Sequence, residues 1–162
     1  MKKLTLIRHG KSSWSHGVAD HDRPLKSRAH RDADLVIQAI GPFLRNRAPQ
    51  LWTSSAIRAL ETAKMFQDQL KIPSENFSII EELYTFDSGA LKTIINTCED
   101  HIDDLLVFGH NPAITDLAGE LGSKIFDNVP TTGLVAMEFE STKWQEISGG
   151  KTLQYFFPKN LR

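Results

Sequence analysis

The chain has 162 residues, 40% hydrophobic and 24% charged, and its 19 Lys and Arg nearly balance 20 Asp and Glu for a formal net charge of -1. That makeup predicts one globular domain spanning 1–162, of a size that buries roughly 70% of its unfolded surface, and it excludes a strong non-specific grip on nucleic acid or anionic membrane. The single cysteine, Cys98, excludes an internal disulfide and a Cys-based zinc site and points to the reducing cytoplasm.

The start is basic and then apolar, but the apolar run Leu4 to Ile7 stops at Arg8-His9, too short for a signal-peptide core or a membrane span. It reads as a buried first strand that leaves the sheet at Arg8-His9-Gly10. Lys11 to Pro24 has loop chemistry and is longer than a simple connection needs. Ala33, Val36, Ile37, Ile40 and Leu44 then mark a helical stripe, ending near Gly41-Pro42 or at Asn46-Arg47. Gln50 to Thr53 is a second strand, Ser54-Ser55 supply cap residues, and Ile57 to Leu70 is amphipathic and helical. Phe77 to Ile80 is a third strand, Leu91 to Cys98 a short helix, and Leu105 to Phe108 a strand apolar enough to be buried on both faces. Asn111-Pro112 opens a helix closed by Gly122, and Leu134 to Phe139 and Thr152 to Phe157 read as two final strands near a sheet edge.

Strands alternating with helices predict an α/β three-layer sandwich, a mostly parallel central sheet with helices on both faces. In such sheets ligands bind outside the carboxyl ends of the strands. Those ends carry Arg8, His9, His110 and, within a turn of Thr53, Arg58. Neutral imidazole is a nucleophile toward phosphorus, and guanidinium forks match phosphoryl oxygens bidentately while staying charged. No Ser-His-Asp pattern or Gly-rich phosphate loop competes, and two arginines with a protonated second histidine would supply the donors phosphoryl transfer asks for, with no metal required.

Arg8-His9-Gly10, the run Ser55 to Ala63 around Arg58, and Gly109-His110-Asn111-Pro112, in this order and spacing, resemble the three signatures of the histidine phosphatase (phosphoglycerate-mutase-like) superfamily. Asp22-Arg23-Pro24-Leu25 and Glu82-Leu83-Tyr84 make the chain most similar to the SixA-type phosphohistidine phosphatase branch. The resemblance implies that His9 takes the phosphoryl group, that Arg8 and Arg58 hold its oxygens, that His110 donates a hydrogen bond to it, and that Arg23 adds a phosphate or substrate contact. It implies no cofactor and no metal. Two departures stand out. Lys26 and Ala29 replace a usual Thr cap and Gly after Pro24-Leu25, and Thr85 stands where many members carry an acidic proton donor, leaving Glu82 and Asp87 as the nearby acids.

The expected activity is that of a cytoplasmic phosphatase working through a phosphohistidine intermediate, its partner a phosphorylated protein such as a phosphohistidine carrier or phosphotransfer domain. A phosphatase of small phosphate esters on the same site, or a phospho-ligand binding module, remain the alternatives; the two histidines weigh against the module, which needs arginines but no nucleophile. Asp20, His21 and Asp22 read as a solvated loop rather than a metal site, since no ligand set stands at the right spacing. Trp14 is balanced between stacking on substrate and packing on the core, Lys11 between the site and the surface, and Cys98 reads as a small buried apolar residue.

Overall fold

A computed structural model describes residues 1–15 and 17–162. His16, inside the loop expected over 11–24, lies outside the described residues. The strands are β1 (Lys2–Arg8), β2 (Gln50–Thr53), β3 (Phe77–Ile79), β4 (Asp104–Gly109), β5 (Leu134–Phe139) and β6 (Lys151–Phe156). The helices are α1 (Arg28–Leu44), α2 (Ile57–Leu70), α3 (Ser88–Ile95), α4 (Ala113–Leu121) and a short α5 (Pro158–Leu161).

The six strands form one sheet in the order β3-β2-β4-β1-β5-β6. β3, β2, β4 and β1 are parallel, and β5 is antiparallel to both β1 and β6, so the expected mostly parallel sheet is borne out. Each central strand is apolar on both sides because both faces are covered. On one face Leu4, Leu6, Leu105 and Val107 pack with α3 and α4; on the other Ile7, Leu106 and Phe108 pack with α1 and α2. Every residue of β4 is buried. Burying a Leu or Phe side chain contributes about 1.5–3 kcal/mol, so the two layers are secured chiefly by these alternating sets.

The topology decides where a ligand can sit. From β1 the chain crosses through α1 to β2, while from β4 it crosses on the opposite face through α4 to β5. The carboxyl ends of the neighbouring strands β1 and β4 therefore part around a crevice, the usual ligand position in such sheets. The ladder pairs Arg8 with Gly109, which sets His9 and His110 side by side at its mouth.

Local departures from the sequence reading have local causes. α3 begins at Ser88, before Leu91, because the Asp87 carboxylate accepts the Ala90 N–H at 2.8 Å and so caps the helix; it ends at Ile95 instead of Cys98. Of the two ends expected for α1 the later one holds: the helix runs through Gly41-Pro42 to Leu44, since proline in the last turn interrupts little of the helical ladder, and Asn46 takes the left-handed conformation (φ 64°) just beyond. The cap position of α2 is Ala56, not Ser54 or Ser55, and both serines serve other partners.

Candidate active site

Gly10 makes the turn after β1 possible. A Cβ there would lie 2.9 Å from the Ala29 Cβ of α1 and 3.3 Å from Thr62 Oγ1 of α2, closer than packing allows. The Gly10 N–H donates to Thr62 Oγ1 at 2.9 Å, and that hydroxyl donates to the Arg58 carbonyl at 2.7 Å, so α2 is tied to the strand exit. From the other side the Thr132 N–H donates to both the Arg8 and His9 carbonyls at 3.0 Å.

Within that frame His9 is 6% exposed and its tautomer is fixed. Nδ1 lies 2.7 Å from the Gly10 carbonyl oxygen, which can only accept, so Nδ1 carries the hydrogen and Nε2 the lone pair. Arg58 Nε–H approaches Nε2 at 3.3 Å. Burial, and then the neighbouring His110, Arg58 and Arg8, hold the imidazole well below its ordinary pKa of 6.5 against the opposing Gly10 bond. A neutral ring with an unprotonated nitrogen beside a guanidinium is the state a nucleophile toward phosphorus requires.

His110 stands with its ring centroid 5.2 Å from that of His9 and is 1% exposed. Its Nε2 lies 2.8 Å from Ser54 Oγ, which already accepts the Ala56 N–H at 3.2 Å. Ser54 Oγ keeps a second lone pair and its own hydrogen, so it pairs with Nε2 in either tautomer, while Nδ1 of His110 is buried with no partner among the described residues. Burial, with Arg58 next, lowers the His110 pKa to about 3. The second histidine, expected from sequence to be protonated, is thus neutral here, because the desolvated ring sits among arginines.

Arg58, from the first turn of α2, is 2% exposed. Besides His9 it donates from NH1 to the Asp20 carbonyl and from NH2 to Asp20 Oδ2 at 2.9 Å. Arg23 is also buried, donating from Nε to Asp20 Oδ1 at 3.0 Å and from NH1 to Ser12 Oγ at 2.8 Å. The Tyr84 hydroxyl donates to Asp20 Oδ2. Burial pushes the Asp20 carboxyl up, but the Tyr84, Arg58 and Arg23 contacts outweigh it and hold the group down at about 2. Asp20 is not the solvated loop residue expected; the 3-10 helix Asp20–Asp22 turns it into the site, and His21 anchors that helix through Ser55 Oγ at 3.0 Å.

Arg8, His9, Asp20, Arg23, Arg58 and His110 line a cleft of about 310 Å³. Arg8 Nε and His110 Nδ1 are buried and have no partner among the described residues. An unsatisfied buried donor costs about 1–3 kcal/mol. Burial and the nearby Arg58 also depress the Arg8 pKa, so the cleft holds crowded cations and unpartnered polar atoms that an anion would relieve. A larger cavity of about 430 Å³ at the amino-terminal end of the strands lacks this character: its Arg47 is paired bidentately with Asp104 at 2.6 Å.

The structure thus brings Arg8, His9, Arg23, Arg58 and His110 together, with exposed Lys11 at the rim. It does not bring the two candidate acids. Glu82 is exposed on a 3-10 turn and Asp87 is spent capping α3, and neither lines the cleft. Asp20, Tyr84 and Ser54 were missed from sequence. The Ser54 signal was present in its place one residue past a strand end, where it was read as a cap. No group of three or more His, Cys, Asp or Glu able to hold a metal gathers among the described residues. Cys98 is buried, and its thiol is pushed up to about 12 by that burial.

The two depressed imidazoles predict a pH dependence of folding. The unfolded chain takes up protons near pH 6.5 where the native site refuses them, so stability is fully present above 6.5 and is lost as pH falls below it. Each histidine weakens the folding equilibrium by up to about tenfold per pH unit in that window, which reaches down to about 3 for His110. Urea midpoints measured from pH 7.5 to 4.5 should fall steadily below 6.5, and a flat profile would place both rings in solvent.

A crevice at the carboxyl ends of parallel strands, holding two buried neutral imidazoles and convergent guanidiniums, suits phosphoryl chemistry. Residues 4–120 match the family model of the histidine phosphatase superfamily (branch 1), and the chain belongs to that superfamily. It is 31% identical over 157 residues to an uncharacterized protein of Mycobacterium tuberculosis, covering 89% of this chain and 93% of that protein. Its fold is similar to the protein histidine phosphatase SixA complexed with tungstate, with a TM-score of 0.78, 20% identity and 99% of each chain covered. A mycobacterial glucosyl-3-phosphoglycerate phosphatase matches with a TM-score of 0.67 at 11% identity, over 93% of this chain and 96% of that one. Among the described residues no helix is long and apolar enough to cross a membrane.

Proposed function

We propose that the chain dephosphorylates phosphohistidine on a partner protein through a phosphoryl intermediate on His9. The observation that carries this is the His9 ring itself: neutral, with Nδ1–H pinned on the Gly10 carbonyl and the Nε2 lone pair beside Arg58. In the first step Nε2 attacks phosphorus and the P–N bond of the substrate breaks, its electron pair going to the departing imidazole nitrogen, which takes a proton. In the second, water attacks the phosphorus of phospho-His9, loses a proton, and the P–N electron pair returns to Nε2. Arg8 and Arg58 hold the equatorial oxygens, His110 donates from Nδ1, and Arg23 contributes a further cation at the edge. Their charge supplies what a divalent ion would, so no metal is needed in this reading.

The acid side of the site favours phosphohistidine over esters. The one carboxyl in the cleft, Asp20, is held at about 2 and is ionised at neutral pH. An alkyl ester expels an alkoxide and gains 10²–10⁴-fold from a general acid. A histidine leaving group, with an ordinary pKa of about 6.5, takes its proton from solvent. The support for a protein substrate is the short connection from β3 to β4, a 3-10 turn and the two-turn α3, which builds no lid over the cleft.

A turnover panel run with and without exhaustive chelation tests the proposal. Phosphohistidine protein should be cleaved fastest, an aryl phosphate more slowly and an alkyl phosphate slowest, with no change on chelation. Equal rates on alkyl phosphate would favour a small-ester phosphatase, tight phosphate binding without turnover a binding module, and activity restored only by a divalent ion a metal-dependent site.

A further inference from the structure

The cleft has an aromatic mouth that phosphate binding leaves unused. Trp14, in the loop after β1, does not pack on the core; it is 76% exposed. One face of its indole lies on the Arg23 guanidinium, with Cζ 3.4 Å from the ring centroid. Arg23 is itself locked to Asp20 and Ser12, so the indole rests on a fixed base with its opposite face open. Phe86, 48% exposed, comes from the segment after β3 and stands on edge against His110, with centroids 5.6 Å apart and planes at 75°. Both rings line the cleft that holds His9. Two large aromatics left in water at the mouth of a cationic pocket are the kind of exposed apolar surface that marks a contact.

The direction of the reaction says which part of the substrate meets them. In phosphoryl transfer the leaving atom departs on the side of phosphorus away from the attacking one. His9 is buried at the floor of the cleft, so the leaving group faces the mouth. We infer that Trp14 and Phe86 form a platform for the leaving group, with the open indole face stacking on the imidazole ring of a phosphohistidine side chain and Phe86 bounding the slot. This rests on the phosphatase reading and narrows it to phosphoryl groups carried on a flat aromatic ring. As the P–N bond breaks its electron pair goes to the ring nitrogen and one proton follows, so the imidazole leaves as a neutral flat ring, and the indole face holds it in line with His9 during the transfer. The platform therefore acts by binding and orienting the leaving group.

Trp14→Ala and Trp14→Phe, assayed on a phosphohistidine peptide, an aryl phosphate and an alkyl phosphate, test this. With Trp14→Ala, kcat/KM should fall about tenfold on phosphohistidine and less on the aryl ester. It should stay within about twofold of the native rate on the alkyl ester, with an unchanged inhibition constant for vanadate. Trp14→Phe should recover part of the loss. Equal losses on all three substrates, or weakened vanadate, would show that Trp14 acts only through Arg23 on the phosphoryl oxygens and would overturn the platform. So would an unchanged rate on phosphohistidine. A native enzyme idle on all three substrates overturns the phosphatase reading and the platform together, whereas a native enzyme active on them with indifferent variants overturns the platform alone.

Discussion

With His9 replaced by alanine, turnover is expected to fall to background and no phosphoryl group should be trapped on the protein. In the native enzyme, quenching during turnover should capture phosphate that is labile in acid and stable in alkali, the behaviour of a phosphoramidate. The size of the effect follows from the lack of a substitute. The other imidazole lining the cleft, His110, is engaged at Nε2 by Ser54, and in this reading its Nδ1 donates to the phosphoryl group. Lys11 is exposed at the rim, and the only cysteine is buried outside the cleft. Retained binding of vanadate by the variant would show that the phosphate cradle is intact. Trapped label in undiminished yield would move the nucleophile elsewhere.

Replacing Arg58 with alanine should cost about 2–5 kcal/mol of transition-state stabilisation, or roughly thirtyfold to several thousandfold in kcat/KM. One side chain serves three partners here: it faces the lone pair of His9, it donates twice to Asp20, and its remaining N–H groups are available to an arriving phosphoryl group. Its loss removes a charge-assisted fork and also frees the Asp20 carboxylate to repel the phosphoryl dianion. Arg58→Lys should recover little, since a point charge cannot span His9 and Asp20 together. Near-native kcat/KM in the lysine variant would take Arg58 out of contact with the reacting phosphorus.

The parts of this site readable from sequence are those fixed by short-range rules. Arg8-His9 and Gly109-His110 were found because a run of buried apolar residues ending at glycine marks a strand exit, and ligands gather at such exits. Arg58 was found because Thr53 ends a strand one turn before it. Asp20 and Tyr84 were not, because each reaches the site through contacts with residues distant in sequence: Asp20 meets Arg58 across 38 residues and Tyr84 across 64. The spacing Asp20-His21-Asp22 is equally that of a solvated turn, and the contacts of Asp20 with Arg58, Arg23 and Tyr84 and of His21 with Ser55 turn the segment inward. Asp87 was misjudged for a related reason. A carboxylate three residues before a free backbone N–H is as good a helix cap as an acid, and the local bond to Ala90 took it. The charge state of His110 was out of reach as well, since it depends on the depth of burial and on three arginines contributed by different segments.

The pairing of Arg8 with Gly109 has a consequence for assembly. The two histidines come from strands about a hundred residues apart along the chain, and their only register is the ladder at the middle of the sheet, the type of non-local contact that forms late because its loop must close first. Neither the segment up to α2 nor the segment from β4 onward can place a phosphoryl group between two imidazoles by itself. A slip of one residue in that ladder would turn every side chain of β1 to the opposite layer and carry His9 away from Arg58. Turnover is thus an all-or-none report on the centre of the fold: a chain that has collapsed, formed its helices and even paired its outer strands has no fraction of this chemistry until β1 and β4 meet in register.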